Sequence, residues 1–487
     1  MTLTTAQLDR ACGVLLATAA GDALGAGYEF GPPLPAGAPV AMAGGGQFDW
    51  APGEWTDDTS MAVAVAETAA AGGDLRTAGA QDAVTARWRA WAAGAKDIGA
   101  QTSRVLAAAR GGTADEALAA ARDLHERTGL TAGNGSLMRT APVALAYLGD
   151  PGGLTQAAAA VSALTHYDAE AGEACVLWCH AIRHAVLTGE LDARAGLGHL
   201  PAPSRGRWAG RLTEAEHART ADFTRNGWVV EALQAAWCAV AATPVPADDP
   251  AGEQFRAGHL RLALEEAVRG GRDADTVAAI AGGLLGAAYG ASAVPASWRL
   301  RLHGWPGLRS AGLVALAAAA AGAPSAGPVY GGGDRPAVTV AHPDDPGLLL
   351  ADVAALRDLP AAVTAVVSLC PAGERERAAV LARVRPEHWL EVRLADDDDP
   401  GENPNLDFVL HDTVTAVQEL RAAGHVVLLH CVAAYSRTPA LGALYAMRRT
   451  GARPADAVAA MERALPGADP AGAFRAALER ASPHPFR

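Results

Sequence analysis

Glu54-Trp55-Thr56-Asp57-Asp58-Thr59-Ser60-Met61 sets two adjacent carboxylates between two threonines, directly before the apolar run Met61-Ala62-Val63-Ala64-Val65-Ala66. The run predicts a helix that starts near Thr59 and carries both aspartates at its N-terminus. There they complement the helix dipole and satisfy free backbone N–H groups, as ordinary capping residues do. A second stretch of the same design, Asp273-Ala274-Asp275-Thr276, precedes the apolar run from Val277 to Tyr289. Two acidic helix starts far apart in sequence are what a site assembled by the fold from distant loops looks like.

Periodicity extends the helical reading outward in both directions. Thr4-x-x-Gln7 resembles a capping box, and Leu8, Cys12, Leu15 and Leu16 form an apolar stripe, so a helix is expected from Thr4 to about Gly21. Helices are further expected at 61–71, 80–94, 98–109, 114–127, 152–164, 168–187, 212–220, 227–241, 254–269, 276–289 and 307–322, with no strand among them. The glycines of Gly21-Asp22-Ala23-Leu24-Gly25 permit close helix packing or a turn. Gly133-Asn134-Gly135-Ser136 reads as a turn that exposes backbone N–H groups and lets a diphosphate approach.

The character changes at 323–336, a Pro/Gly-rich linker. Beyond it, strand candidates at 337–341, 365–370, 390–394 and 426–430 alternate with helices at 348–356, 375–382, 406–423, 438–449, 455–464 and 471–481. That alternation implies a mostly parallel sheet with helices on its faces. The chain is therefore multidomain: an all-α domain over 1–322 and an α/β domain over 337–487. Its 487 residues exceed what one core usually serves, and half are apolar while only 5% are aromatic, which favours closely packed helices in the larger part.

The net charge of −13 argues against non-specific binding of nucleic acid or anionic membranes. No basic segment followed by an apolar core opens the chain, and apolar runs such as Ala311 to Ala321 are too short to span a bilayer. The six cysteines show no zinc spacing; Cys175 and Cys179, four apart, read as buried thiols, and a cytoplasmic location fits.

If Thr56, Asp57, Asp58, Asp273, Asp275 and Thr276 converge, their carboxylates stay ionised only beside cations. An all-oxygen donor set selects Mg²⁺ first, then Mn²⁺ or Ca²⁺, and bridging carboxylates suggest two ions about 4 Å apart. These motifs, together with Glu29, Gly133-Asn134-Gly135-Ser136-x-Met138-Arg139 and Thr165-His166, follow the order seen in ADP-ribosylglycohydrolases, which the chain resembles over roughly residues 5–322. The resemblance implies an all-α fold, a binuclear magnesium or manganese centre and hydrolysis of the bond joining ADP-ribose to a protein or small-molecule acceptor. It assigns the metals to Thr56, Asp57, Asp58, Asp273, Asp275 and Thr276. Asn134, Gly135, Ser136 and Met138 would line the ADP-ribose phosphates and distal ribose, His166 would contact the ligand, and Glu29 would gate the cleft. Asp57, Asp58 or Glu29 is the base; the sequence leaves the three open.

Val426-Val427-Leu428-Leu429-His430-Cys431-Val432-Ala433-Ala434-Tyr435-Ser436-Arg437-Thr438 reads as strand, loop and helix. Cys-x5-Arg there puts a thiolate under inward-facing N–H groups, with an arginine fork to clamp phosphate oxygens. The segment resembles dual-specificity protein phosphatases over about 337–487, which implies Cys431 as nucleophile, Arg437 as transition-state clamp, Thr438 as helper of the thiolate and a phosphoprotein as partner. The general acid lies in Asp396-Asp397-Asp398-Asp399: family spacing favours Asp399 and the strand-end pattern favours Asp396. The family has glycine where this chain has Ala434. The expected protein is thus an ADP-ribosylglycohydrolase with an appended phosphatase-like domain; the alternative is a binder of ADP-ribose or phosphoprotein without turnover.

Overall fold

The computed structural model describes residues 2–324, 328–333 and 336–481, which form two compact units. The first comprises residues 1–244, 259–294 and 301–326; the second comprises 245–258, 295–300 and 327–487.

The first unit is helical. Its opening helix, Thr5–Gly25, begins at a capping box in which Thr4 and Gln7 satisfy each other's backbone N–H groups, and it runs four residues past the expected end. It packs along the helix Ala274–Tyr289 at backbone contact. A methyl group on Gly21 would lie 2.2 Å from the Ala278 carbonyl oxygen, and one on Gly25 would lie 2.3 Å from the Asp275 Cα. Only glycine allows that approach. Among the described residues, Thr5–Tyr28 is also the one helix long and apolar enough to cross a bilayer, and 89% of its apolar window is buried inside the protein, as in a core helix. The sequence reading passed over it because Asp9, Arg10 and Asp22 interrupt the apolar run.

Most expected helices appear within two or three residues. Three details differ. Ala202–Glu216 starts ten residues before the expected 212, directly after Pro201, a favoured helix entry. Ala141–Ala146 is an unexpected short helix with Pro142 in its first turn. An antiparallel ladder joins β1 (His303–Gly304) to β2 (Leu308–Arg309), two residues each, too short for alternation to register in sequence.

The second unit holds a five-stranded sheet of β3 (Thr339–His342), β4 (Asp345–Asp352), β5 (Ala365–Ser368), β6 (Trp389–Glu391) and β7 (Val427–Cys431). Its order is β3-β4-β7-β5-β6, parallel except for the β3–β4 pair. The expected helix at 348–356 is wrong. Residues 345–352 are strand β4, followed by a 3₁₀ turn at Val353–Asp358. Leu348-Leu349-Leu350-Ala351 is a short apolar run in an interior strand, and such a run carries no period that separates strand from helix. Both faces of the sheet are covered: Leu350 and Leu429 pack into one cluster, Ala351 and Leu428 into the other.

The segments 245–258 and 295–300 belong to this unit through specific contacts. The Ala296 N–H donates to Asp412 at 2.8 Å, Glu253 pairs with Arg448 at 2.7 Å, and Phe255 meets Phe408 edge-on. Of the linker expected at 323–336, residues 325–327 and 334–335 lie outside the described residues. The described part is tied down, with Tyr330 bridging to Ala372 and the Gly332 N–H donating to Glu376.

Candidate active site

The helix Asp57–Ala70 starts two residues earlier than its apolar run suggests. Its first N–H groups are not capped by its own threonine. Asp22, from the opening helix, accepts the Thr56 N–H at 2.9 Å, the Thr59 N–H at 2.9 Å and the Thr59 hydroxyl at 2.6 Å. Capping from outside corrects the plain helix-cap reading and leaves the Asp57 and Asp58 side chains free of that task.

Two carboxylate trios result. Single oxygens of Asp22, Asp58 and Asp275 lie within 4.8 Å of one another, and so do oxygens of Glu29, Asp273 and Asp275. Asp275 is common to both. The Thr56 hydroxyl lies 3.1 Å from Asp58 Oδ2 and 3.5 Å from Asp275 Oδ2, and the Thr276 hydroxyl lies 3.4 Å from Asp58 Oδ2. The Asn134 carboxamide donates to Asp273 at 2.7 Å and to the Asn226 carbonyl at 2.9 Å. Asp57 is buried beside the trios and belongs to neither; Thr56 Oγ1 is 3.5 Å from it.

Burial raises every one of these carboxyl groups, and repulsion from neighbouring carboxylates adds to it at all of them except Asp22, which the Thr56 and Thr59 hydrogen bonds pull back down. Asp22 is pushed up to about 6, Asp57 to about 8 and Glu29 to about 9; Asp273 is raised, and Asp58 and Asp275 are held well above the usual carboxylate range. Among the described residues none of the six forms an ion pair with Lys, Arg or His. Asp58 Oδ1, Asp275 Oδ1 and Glu29 Oε2 are buried without a hydrogen-bond partner. Orphaned carboxylate oxygens that converge with threonine hydroxyls, with no nitrogen or sulfur donor, fit a hard divalent cation.

His166 is buried, with Nδ1 2.8 Å from the Thr165 hydroxyl, which itself accepts from Arg139 at 2.6 Å. With Arg139 on one lone pair, the Thr165 hydroxyl is placed to donate to Nδ1, an arrangement that goes with the ring hydrogen on Nε2. Burial, then Arg139, holds His166 neutral. A methyl group on Gly135 would come within 3.0 Å of this ring. Ser136 takes the Cys175 thiol at 3.6 Å, and Met138 is buried. The ring of Trp228 carries Arg211 and Arg225 at 5.6 and 5.1 Å.

The sequence reading missed three residues. Asp22 stood inside a quoted motif, and a lone carboxylate in an apolar helix was its signal. Asp97 raises Glu29, Asp57 and Asp273, and Asn226 holds the Gly271 carbonyl and faces the Asp273 N–H; neither lies in a recognisable pattern.

In the second unit Cys431 ends β7 and Arg437 opens the helix Arg437–Thr450. Arg437 donates to the Leu394 carbonyl at 2.8 Å and lies 3.8 Å from Asp396. Asp399 instead accepts from the Gly401 N–H within its own loop. The Thr438 hydroxyl bonds the Ala351 carbonyl at 3.4 Å, not Cys431. Ala434 has φ of +56°, the left-handed conformation that glycine takes without strain.

The helical unit that brings these two acidic helix starts together is that of an ADP-ribosylglycohydrolase: the chain belongs to that family, matching it over residues 3–329. It is similar to the ADP-ribosylarginine hydrolase Tri1 of Pseudomonas putida (strain GB-1), at 33% identity over 61% of this chain and 75% of that protein. It is also similar to the ADP-ribosyl-[dinitrogen reductase] glycohydrolase of Rhodospirillum rubrum, at 29% identity over 60% and 90% of the two chains. Human DUSP28 matches in structure at 25% identity, with a TM-score of 0.24, over 30% of this chain and 92% of its own.

Proposed function

We propose that the first unit hydrolyses the bond between ADP-ribose and an arginine of a modified protein, with two divalent cations, Mg²⁺ or Mn²⁺, held by the acidic cluster. The observation that carries this reading is the pair of carboxylate trios sharing Asp275, with three orphaned oxygens among them. The similarity to an ADP-ribosylarginine hydrolase supports arginine as the acceptor.

Thr56, Asp58, Asp273, Asp275 and Thr276 would hold the ions, with Asp57 beside them as the outer member of the set and Asp22 fixing the helix that presents Thr56, Asp57 and Asp58. When bound, the cations keep the carboxylates ionised and polarise the distal ribose hydroxyls. Hydrolysis then needs a water at the anomeric carbon, a base for its proton and a proton for the departing guanidine nitrogen. Glu29 suits that proton traffic: it is one of two members of the trios, Asp273 being the other, that are not fully buried, and it adjoins the exposed Phe30. Water adds to the carbon, the carbon–nitrogen bond breaks, and its electron pair takes the proton on the leaving guanidine. Asn134 keeps Asp273 in place, while the neutral His166 offers its Nε2 hydrogen to the ligand beside Gly135.

The test is ADP-ribose release from arginine-, serine- and nucleobase-linked substrates with Mg²⁺ or Mn²⁺. Release from the arginine-linked substrate that Asp57→Ala and Asp275→Ala abolish is expected. No release by the unaltered protein from any substrate would refute hydrolysis, and metal-dependent ADP-ribose binding alone would leave a binding protein.

For the second unit we infer a phosphate-binding loop at Cys431–Arg437, with Asp396 rather than Asp399 as its acid. The 3.8 Å approach of Asp396 to Arg437 favours this reading. Hydrolysis of p-nitrophenyl phosphate, lost in Cys431→Ser and kept in Asp57→Ala, tests it.

A further inference from the structure

Three aromatic rings stand beside the acidic cluster without a part in the chemistry above. Phe30 follows Glu29 directly. It is 60% exposed and has φ of +59°, a conformation that bulky residues rarely take. Its backbone is pinned there, its N–H donating to the Arg272 carbonyl at 2.6 Å, next to Asp273. An exposed side chain held in a strained conformation at the edge of a site is a functional signal.

The Phe30 ring meets Phe48 edge-on at 6.3 Å, and Phe48 meets Trp50 at 6.1 Å. Trp50 carries the Lys96 ammonium 4.9 Å from its ring centre. Lys96 precedes Asp97, which lies close enough to raise Glu29, Asp57 and Asp273. The ladder therefore starts at the residue after Glu29 and ends on the lysine before Asp97.

We propose that Phe30 and Phe48 form the acceptor subsite, which receives the guanidinium of the ADP-ribosylated arginine. The proposal rests on the hydrolase reading above. Aromatic faces attract planar cations, and arginine stacks on them better than any other side chain. The carboxyl groups of Glu29 and Asp97 stand in sequence next to the two ends of the ladder as hydrogen-bond acceptors for a guanidinium. Trp50 already lies beside one cation, the Lys96 ammonium that Glu54 pairs with at 2.7 Å, which leaves Phe30 and Phe48 as the free rings of the ladder. A neutral serine linkage would gain nothing from it.

The experiment uses the metal-loaded full chain, an arginine-ADP-ribosylated peptide and free ADP-ribose. Phe30→Leu and Phe48→Leu keep the apolar bulk and remove the aromatic face; Phe30→Tyr keeps the face. The double leucine variant is expected to raise KM for the peptide about tenfold. Each single variant shows a smaller rise, so the test survives if the double variant fails to fold. Phe30→Tyr retains the original KM, and affinity for free ADP-ribose moves less than about twofold. Phe30→Gly relieves the backbone, so it raises the melting temperature while raising KM. An unchanged peptide KM in the folded leucine variants overturns the proposal. So does an equal loss of free ADP-ribose affinity, which would assign the rings to the nucleotide. If the unaltered protein releases ADP-ribose from no arginine-linked substrate, the hydrolase reading itself has failed, a result distinct from either.

Discussion

Asp22 holds Thr59 twice, accepting its backbone N–H at 2.9 Å and its hydroxyl at 2.6 Å. One carboxylate in the opening helix thereby fixes the start of the helix that carries Asp57 and Asp58. Asp22→Asn keeps the shape and offers one accepting oxygen where the carboxylate has two. The variant should lose about 1–3 kcal/mol of stability, because a buried donor goes unpaired. Urea unfolding measures the loss, and metal affinity should fall with it.

Gly25 fixes the other half of the site. A methyl group there would collide with the Asp275 backbone at 2.3 Å, so Gly25→Ala must push the two helices apart. A cost of about 1–3 kcal/mol is expected, together with weakened metal binding. Gly172, in the helix Ala169–Thr188, has nothing within 4 Å of an added methyl, and Gly172→Ala should stabilise by roughly 0.5–1 kcal/mol. Thermal unfolding of both variants checks the contrast.

Ala434 occupies the left-handed region in the loop before Arg437. Ala434→Gly relieves that conformation and should stabilise the second unit by about 1 kcal/mol. Any phosphatase turnover should rise with it. A loss of stability on this substitution would mean that the alanine is not strained.

His430 lies at the end of β7, fully buried, with Nε2 2.6 Å from the Ser368 hydroxyl. Burial lowers its pKa to about 4. Between an unfolded value near 6.5 and that folded value, the unfolded chain binds the extra proton, so stability falls as pH drops through this window. The contribution is roughly 3 kcal/mol, present above pH ~6.5 and lost by pH ~4. Unfolding of the second unit followed from pH 7 to 4 should show this slope, and His430→Asn should lessen it, the remainder coming from His411, which burial likewise lowers to about 4.

The sequence made the helical first part legible because its amphipathic and capping signals are local: Thr4 with Gln7, and the apolar runs after Asp58 and Asp275. It also exposed the acidic pairs and the Cys431–Arg437 loop, whose spacing is contiguous. Three kinds of fact escaped. Strand β4 looked helical because a run buried on both faces shows no period. Asp22 was masked because its role is to cap a different helix. The joining of Glu29 and Asp97 with the trios, and the exclusion of Asp57 from them, arise only from packing between distant segments.

The central claim is that two acidic helix starts form one cation cage with Asp275 at its centre. Manganese binding to the EDTA-stripped full chain, counted by electron paramagnetic resonance, tests it most directly. The account predicts two Mn²⁺ ions per chain, and because Asp275 belongs to both trios, Asp275→Asn should lose both. No binding by the unaltered chain, or two ions still held by a folded Asp275→Asn variant, would contradict it.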